Sequence, residues 1–369
     1  MMNPVSSTKR SVDRRSFMRN GLLAGGAATI GAGLLANGTP AQAEDREEHG
    51  RLNAGDAAIL RFLAAAELIE SDLWIQYTEL GGINADPSQP LNAYQAALSN
   101  LDGDGPQYIT SNTLDEVSHA AFLNAYLESR GADPVNFDHF RTLEGSKAKG
   151  SSGIKRLTNL MHLNVDTSWY TRYRSTGNPD SGATFPQAIT LTNRTAIPIT
   201  DADFNDANHI QAIANTAAFH FGAIEQGGTS LYAAMSQKVN DPQVLKITLG
   251  IGGDEVAHFL EWVDFAGNGV QTPIAPFTDA QTGLTFPDFF ATNDPQIQPN
   301  LIFPIPCEFI SANLPKVAII RPLTDHFAGA VAAAEGFIDS GLFIGQSRRF
   351  ISTLRELAYE ADDARRSRF

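Results

Sequence analysis

Two short stretches, Asp-Glu-Val-Ser-His at residues 115–119 and Asp-Glu-Val-Ala-His at residues 254–258, share a Glu-x-x-His spacing. Residues three apart lie on one face of an α-helix, so each pair can bring a carboxylate oxygen and an imidazole nitrogen to one point. Apolar residues follow both pairs, and a carboxylate left unpartnered among them costs free energy that coordination to a cation removes. Glu116 with His119, and Glu255 with His258, therefore each predict half of a two-metal site.

Two further helical segments offer the remaining ligands that such a site needs. A carboxylate-bridged pair of cations in a helical bundle takes one more glutamate from each of the other two helices. The segment of residues 56–80 contains Glu67, and that of residues 206–239 contains Glu225. Glu225 is the only acidic residue between Asp206 and Asp241, among small and aromatic residues. These two glutamates complete a predicted set of six ligands.

The rest of the chain predicts an all-α fold. Apolar periodicity and stop signals predict long helices at residues 56–80, 107–130, 206–239 and 241–267, with a short helix near 94–98. Residues 132–205 are rich in Gly, Pro and Asn and predict a long crossover with one helical piece near 154–173. Beyond the bundle of residues 44–267, we expect residues 268–369 to form a wrapping extension and a helix over about 323–364.

The order Glu, Glu-x-x-His, Glu, Glu-x-x-His on four successive helices resembles the ferritin-like superfamily, which includes bacterioferritin, rubrerythrin and manganese catalase. The resemblance covers residues 56–267, and residues 67–74 also look like the first helix of desiccation-related ferritin-like proteins. It implies a ferritin-like four-helix bundle around a dinuclear centre. In that centre Glu116 and Glu255 would bridge the two metals. His119 and His258 would each bind one metal. Glu67 and Glu225 would be the terminal ligands.

Two glutamates compete for the role of first-helix ligand. Glu67 stands seven residues before Trp74, which by the likeness takes the position of an aromatic beside the metals. Glu70 stands seven residues before Tyr77, an equally ferritin-like spacing. We assign Glu67 and keep Glu70 as the alternative.

The ligand types narrow the metal and the chemistry. The chain has one cysteine, Cys307, which excludes Cys-rich sites, so carboxylates and imidazoles must hold any metal. Such donors suit two iron or manganese ions. The reaction class implied is oxidoreduction, acting on Fe(II), O₂ or peroxide. The alternative is a non-catalytic envelope or stress-protective scaffold whose metal site is structural or vestigial.

The amino terminus predicts export. Paired Arg14 and Arg15, Phe17, a Gly/Ala-rich apolar run at 21–35 and the small-residue pattern ending at Ala43 look like a twin-arginine signal peptide over residues 1–43. An ordinary secretory signal or an uncleaved anchor is the alternative. We expect the twin-arginine machinery to carry the protein to the periplasm or beyond, with cleavage after residue 43.

Composition and length bound the partners. The formal net charge of -14 argues against nucleic acid. After the signal, no stretch offers about 20 unbroken apolar residues, so we expect no membrane span in the mature form. The long crossover and tail argue for a monomer or small oligomer rather than a 24-subunit shell.

Overall fold

The protein is described by a computed structural model that covers residues 50–165, 167, 189, 191–268, 274–288, 311, 313–318 and 329–366. Over these residues the chain is mostly helical with a few short strands, which is compatible with the predicted all-α class. The predicted signal peptide lies outside the described residues. None of the described helices is long and apolar enough to cross a membrane.

Seven α-helices occur in the described part of the chain. They are α1 (Ala54–Gly81), α2 (Ala93–Leu101), α3 (Gly105–Ser129), α4 (Ala207–Ser236), α5 (Pro242–Asn268), α6 (Ala330–Asp339) and α7 (Arg348–Asp363). The four long helices begin and end within a few residues of their predicted bounds. Helix α1 packs extensively against α3, and α4 against α5.

Local chemistry sets the helix ends. The side chain of Asn53 accepts a hydrogen bond from the backbone N–H of Asp56 at 2.9 Å and so caps α1. Asp241 does the same for α5, accepting from the N–H of Gln243 at 2.7 Å, as the Asp-Pro pair predicts. Gly131, at φ +68°, follows α3 in the left-handed conformation typical of a helix stop.

All these helices belong to one compact unit, which excludes residues 83–90. Those residues form a loop of their own, in which Asp86 accepts hydrogen bonds from the backbone and side chain of Ser88.

The crossover contains little regular structure. It has 3-10 helices at Asp138–Phe140 and Asp201–Asn205, and strands β1 (Leu163–Val165) and β2 (Leu191–Arg194), which pair antiparallel. The prediction of a helix near residues 154–173 is wrong for residues 154–165, which are not helical. Most of residues 166–173 lie outside the described part of the chain.

Tertiary partners explain why that helix does not form. The backbone of Arg156 exchanges two hydrogen bonds with Leu143, at 2.9 and 3.0 Å. The backbone N–H groups of Leu157 and Thr158 donate to the buried carboxylate of Asp72 on α1, at 3.0 and 2.8 Å. These contacts use groups that a helix would need for itself.

The carboxyl-terminal region also departs from prediction. Residues 274–288 contain a hairpin of β3 (Phe277–Thr278) and β4 (Thr285–Phe286), while most of the predicted wrap lies outside the described residues. The single helix predicted over 323–364 is interrupted between α6 and α7. Gly341 and Gly345 take φ values of +84° and +93° there, which right-handed helix cannot accommodate. Helix α7 then packs against α1.

Candidate metal centre

The four long helices bring the six predicted ligands together. Two overlapping sets of side chains, four in each, have ligand atoms within 4.8 Å of one another. The first set comprises Glu67, Glu116, His119 and Glu255, and the second comprises Glu116, Glu225, Glu255 and His258. All six side chains are buried. Glu116 and Glu255 belong to both sets, which is the arrangement that two neighbouring cations sharing two carboxylates require.

Interhelical contacts fix this geometry. The hydroxyl of Ser71 on α1 donates to the backbone carbonyl of Glu116 at 3.1 Å. The hydroxyl of Thr113 lies 3.1 Å from the carbonyl of Trp74. These two bonds set the register of α1 against α3 and hold Glu67 opposite the Glu-x-x-His pair of α3.

A glycine on α4 makes room for one shared glutamate. A Cβ atom at Gly228 would lie 2.8 Å from the carboxyl carbon of Glu255 and closer still to Oε2. Any other residue at position 228 would therefore displace Glu255 from both sets. The carboxylate of Glu255 occupies space that the bare backbone of α4 leaves open.

The converging atoms need a partner. Several buried oxygen and nitrogen atoms have no hydrogen-bond partner among the described residues: Glu67 Oε2, Glu116 Oε2, His119 Nδ1, Glu225 Oε2, both oxygens of Glu255, and His258 Nδ1. Buried polar atoms are nearly always satisfied, because leaving one unpaired costs about 1–3 kcal/mol and more for a charged group. These seven are half of the fourteen buried side-chain atoms without a partner among the described residues, and all seven converge in the two sets. The residues present therefore fit a pair of bound cations.

The two histidines are oriented as metal ligands are. His119 Nδ1 lies 3.4 Å from Glu67 Oε2, while its Nε2 lies 3.2 Å from Asp254 Oδ2. His258 Nδ1 lies 3.2 Å from Glu116 Oε1, and its Nε2 lies 3.4 Å from Asp115 Oδ2. A carboxylate on the far nitrogen fixes the tautomer and leaves the near lone pair for a metal.

These aspartates were missed by sequence reasoning. Each immediately precedes the glutamate of one Glu-x-x-His pair, but its partner is the histidine of the other helix. Their side chains are about half exposed, at 50% for Asp115 and 43% for Asp254. The repeated Asp before each Glu was the available signal, and only packing of α3 against α5 shows what it contacts.

Two more polar side chains hold the carboxylates. The amide of Asn112 donates to Glu116 Oε1 at 2.8 Å and to Glu225 Oε1 at 3.2 Å. The hydroxyl of Tyr232 donates to Glu67. Asn112 stands one helical turn before Glu116, which was a usable signal, whereas nothing in the sequence relates Tyr232 to α1.

Burial and like charge make the cluster bind protons strongly. Burial raises the pKa of Glu116 and Glu225, and it raises that of Glu255 well above its usual range, with Glu116 adding to the effect. Burial alone would lower the pKa of His119, but the neighbouring carboxylates of Asp254, Glu116 and Glu67 raise it to about 12. Cations that bind here must displace these protons.

Glu70 and His220 lie outside both sets. Glu70 is buried, and burial together with the charge of Glu67 raises its pKa well above the usual range. The geometry thus places Glu67, not Glu70, among the converging ligand atoms. His220 instead forms a hydrogen bond with Tyr77. Metal ligation by the six residues stays a prediction.

No family model, curated protein or solved structure matches this chain. The likeness to ferritin-like proteins is therefore a resemblance in the order of motifs, and the functional argument depends on the geometry of the site itself.

Proposed function

We propose that the chain is a ferritin-like protein whose six clustered residues hold two iron or manganese ions, and that it works as an oxidoreductase on Fe(II), O₂ or peroxide. One observation carries the proposal. Two four-residue sets share two glutamates, and seven of the fourteen buried side-chain atoms that lack a hydrogen-bond partner among the described residues belong to them. Four carboxylates also offset the charge of two divalent cations, so a loaded site would be close to neutral.

The donor set favours these metals. Oxygen and imidazole nitrogen without sulfur suit iron and manganese, and zinc can also occupy such a site. When bound, a pair of such cations supplies one-electron redox chemistry and polarises O₂ or peroxide. Glu116 and Glu255 would bridge, His119 and His258 would each hold one cation, and the terminal ligands would be Glu67 and Glu225.

The surrounding residues prepare the ligands. Asp254 and Asp115 keep a proton on Nε2 of the two histidines, so that each Nδ1 lone pair faces the centre. Asn112 and Tyr232 restrict the rotation of three carboxylates. Fixed ligands lose less freedom on binding a cation, which favours tight binding.

The remaining features of the proposal concern the whole chain. The amino-terminal pattern supports export through the twin-arginine pathway, which carries proteins already folded and so permits loading of metal before export. We place the mature protein in the periplasm or outside the cell, as a monomer or small oligomer.

Metal analysis of the purified protein tests the proposal. We expect about two iron or manganese ions per chain in wild type, and loss of both in a Glu116→Gln, Glu255→Gln variant. Glu128→Gln, at the exposed end of α3, is the matched control and should retain the metal. Failure of wild type to bind metal after anaerobic loading with Fe(II) would overturn the proposal. Bound metal without turnover of Fe(II), O₂ or peroxide would favour the structural scaffold.

A further inference from the structure

A cavity of about 240 Å³ lies between α1, the first residues of the crossover and α7. None of the side chains that line it belongs to the candidate metal centre. Ligand-binding cavities in proteins usually measure about 300–1,000 Å³, so this one suits a small molecule. The cavity is therefore a separate place in the fold, and its chemistry does not depend on a bound metal.

One face of α7 gives the cavity a charged end and an apolar end. Arg349, Thr353 and Leu357 follow one another at intervals of four residues, so they lie on one face of the helix, and all three line the cavity. Along this face an exposed guanidinium is followed by a half-buried hydroxyl and then by a buried isobutyl group. A ligand lying along it would meet a cation first and an apolar surface last.

The crossover extends the apolar end. Val135, Phe137 and Phe140 line the cavity and are buried, with exposed fractions of 8%, 3% and 5%. The rings of Phe137 and Phe140 also pack edge to face against Phe350 of α7, with centroids 5.3 Å apart in each case. These ring contacts hold the apolar wall in place without a ligand.

Cationic side chains gather at the cavity although the chain has a formal net charge of -14. Arg61 of α1, His139 of the crossover and Arg349 line it, and none of the described residues lining it is an aspartate or a glutamate. Arg61 contacts Glu360 through Nη1 at 3.3 Å, but its Nε is buried and has no hydrogen-bond partner among the described residues. Arg349 forms no hydrogen bond or ion pair with any described residue. Both guanidinium groups therefore keep donors for an anion.

We propose that this cavity binds a small organic carboxylate with an apolar body, such as an aryl carboxylate. The planar guanidinium groups of Arg61 and Arg349 match the two oxygens of a carboxylate. The hydroxyl of Thr353 can add a further donor. The apolar body then lies against Phe137 and Leu357, where its burial removes apolar surface from water.

The apolar wall argues against an inorganic anion as the ligand. Phosphate and sulfate carry oxygens on every side, and packing them against phenyl rings leaves some of these oxygens without hydrogen bonds. A neutral apolar molecule would leave Arg61 Nε without a partner. A carboxylate with an apolar body uses both ends of the cavity.

Ligand-observed NMR titration with phenylacetate tests the site. The uncharged analogue is phenethyl alcohol, and inorganic phosphate is the anion without an apolar body. We expect phenylacetate to bind the full-length protein saturably, with a Kd of about 1 mM or tighter. The alcohol and phosphate should each bind at least about 10-fold more weakly, because each can use only one end of the cavity.

Substitutions on α7 locate the ligand. Arg349→Gln should weaken phenylacetate binding by about 10-fold or more, because a hydrogen bond between charged groups is lost. Arg348→Gln is the matched control, since it removes a neighbouring exposed charge that does not line the cavity, and it should bind as wild type does. Thr353→Phe fills the cavity from a half-buried position and should abolish binding. If that variant does not fold, as thermal unfolding would show, the exposed Arg349→Gln still decides the question.

The metal-site variant separates this proposal from the proposed function. Glu116→Gln, Glu255→Gln should bind phenylacetate as wild type does, whereas lost binding would place the carboxylate at the metal centre and overturn the cavity site. The site is also overturned by three other results: no saturable binding to wild type, binding of the alcohol or phosphate as tight as that of phenylacetate, or equal affinity in Arg349→Gln and Arg348→Gln. None of these three results bears on whether the six clustered residues hold metal.

Discussion

Replacing Gly228 with alanine is expected to empty the metal centre while leaving α4 intact. The added Cβ atom would lie 2.8 Å from the carboxyl carbon of Glu255, too close for both to stay in place. The obstructing atoms are the end of a flexible side chain, so Glu255 yields by rotating away. That rotation removes one ligand from both sets at once, because Glu255 is shared between them.

The size of the effect differs between stability and metal binding. Alanine in a helix interior is favoured over glycine by about 1 kcal/mol, whereas crowding a packed site costs about 1–3 kcal/mol. The free energy of unfolding of the metal-free protein should therefore fall by only about 0–2 kcal/mol. Loss of a residue behind a metal ligand costs about 10–100-fold in affinity, so displacement of a shared ligand should cost at least about 100-fold.

The neighbouring glycine provides the control. A Cβ atom at Gly227 would have nothing within 4 Å. Gly227→Ala should therefore keep both metals and gain up to about 1 kcal/mol of stability. Chelator competition gives the affinities, and urea unfolding of the metal-free proteins gives the stabilities. Wild-type affinity in Gly228→Ala, or equal loss of metal in both variants, would refute the placement of Glu255.

Three further results are expected. Changing both Asp115 and Asp254 to asparagine should weaken metal binding by about 10–100-fold in chelator competition, because the amides hold the Nε2–H groups less strongly. Burial lowers the pKa of His220 to about 3 in the folded protein, from the ordinary histidine value of 6.5 that we take for the unfolded chain. The unfolded chain therefore binds that proton first as the pH falls, and His220 by itself lowers the stability of the metal-free protein by about 1.4 kcal/mol per pH unit from about pH 6.5 down to about pH 3. The buried glutamates, whose pKa values are raised, contribute in the opposite direction. Urea unfolding should therefore show that His220→Gln gains stability relative to wild type between pH 7 and pH 5. Asp72→Ala should lower the free energy of unfolding by about 3–5 kcal/mol, because the Arg141 side chain and buried crossover N–H groups lose their carboxylate.

An exposed residue serves as a control for the metal and stability measurements. Asp133→Asn should change neither metal affinity nor stability. Unchanged affinity in the double aspartate variant would show that the histidines do not depend on their carboxylate partners. An unaltered pH dependence in His220→Gln, or a stability loss below about 1 kcal/mol in Asp72→Ala, would contradict the respective argument.

The sequence by itself determined the helical class and the six clustered side chains. Helix periodicity and capping act over a few neighbouring residues, so the long helices and the Asp241-Pro242 start could be predicted from local pattern. The Glu-x-x-His pairs follow from the same periodicity. Glu225 was identified as the only acidic residue between Asp206 and Asp241, a property that needs no knowledge of the fold.

Only the tertiary structure shows that Glu67, and not Glu70, has a ligand atom close to the other members of the two sets, because the register of α1 against α3 sets which glutamate approaches them. The tertiary structure also shows that the crossover near Arg156 is not helical and that the chain forms a turn between α6 and α7. In the crossover, the buried carboxylate of Asp72 outweighs local helix propensity. The contacts of Asp115 and Asp254 with histidines on opposite helices depend on the packing of α3 against α5. Such contacts join residues more than one hundred positions apart, where the spacing along the chain carries no information about distance in space.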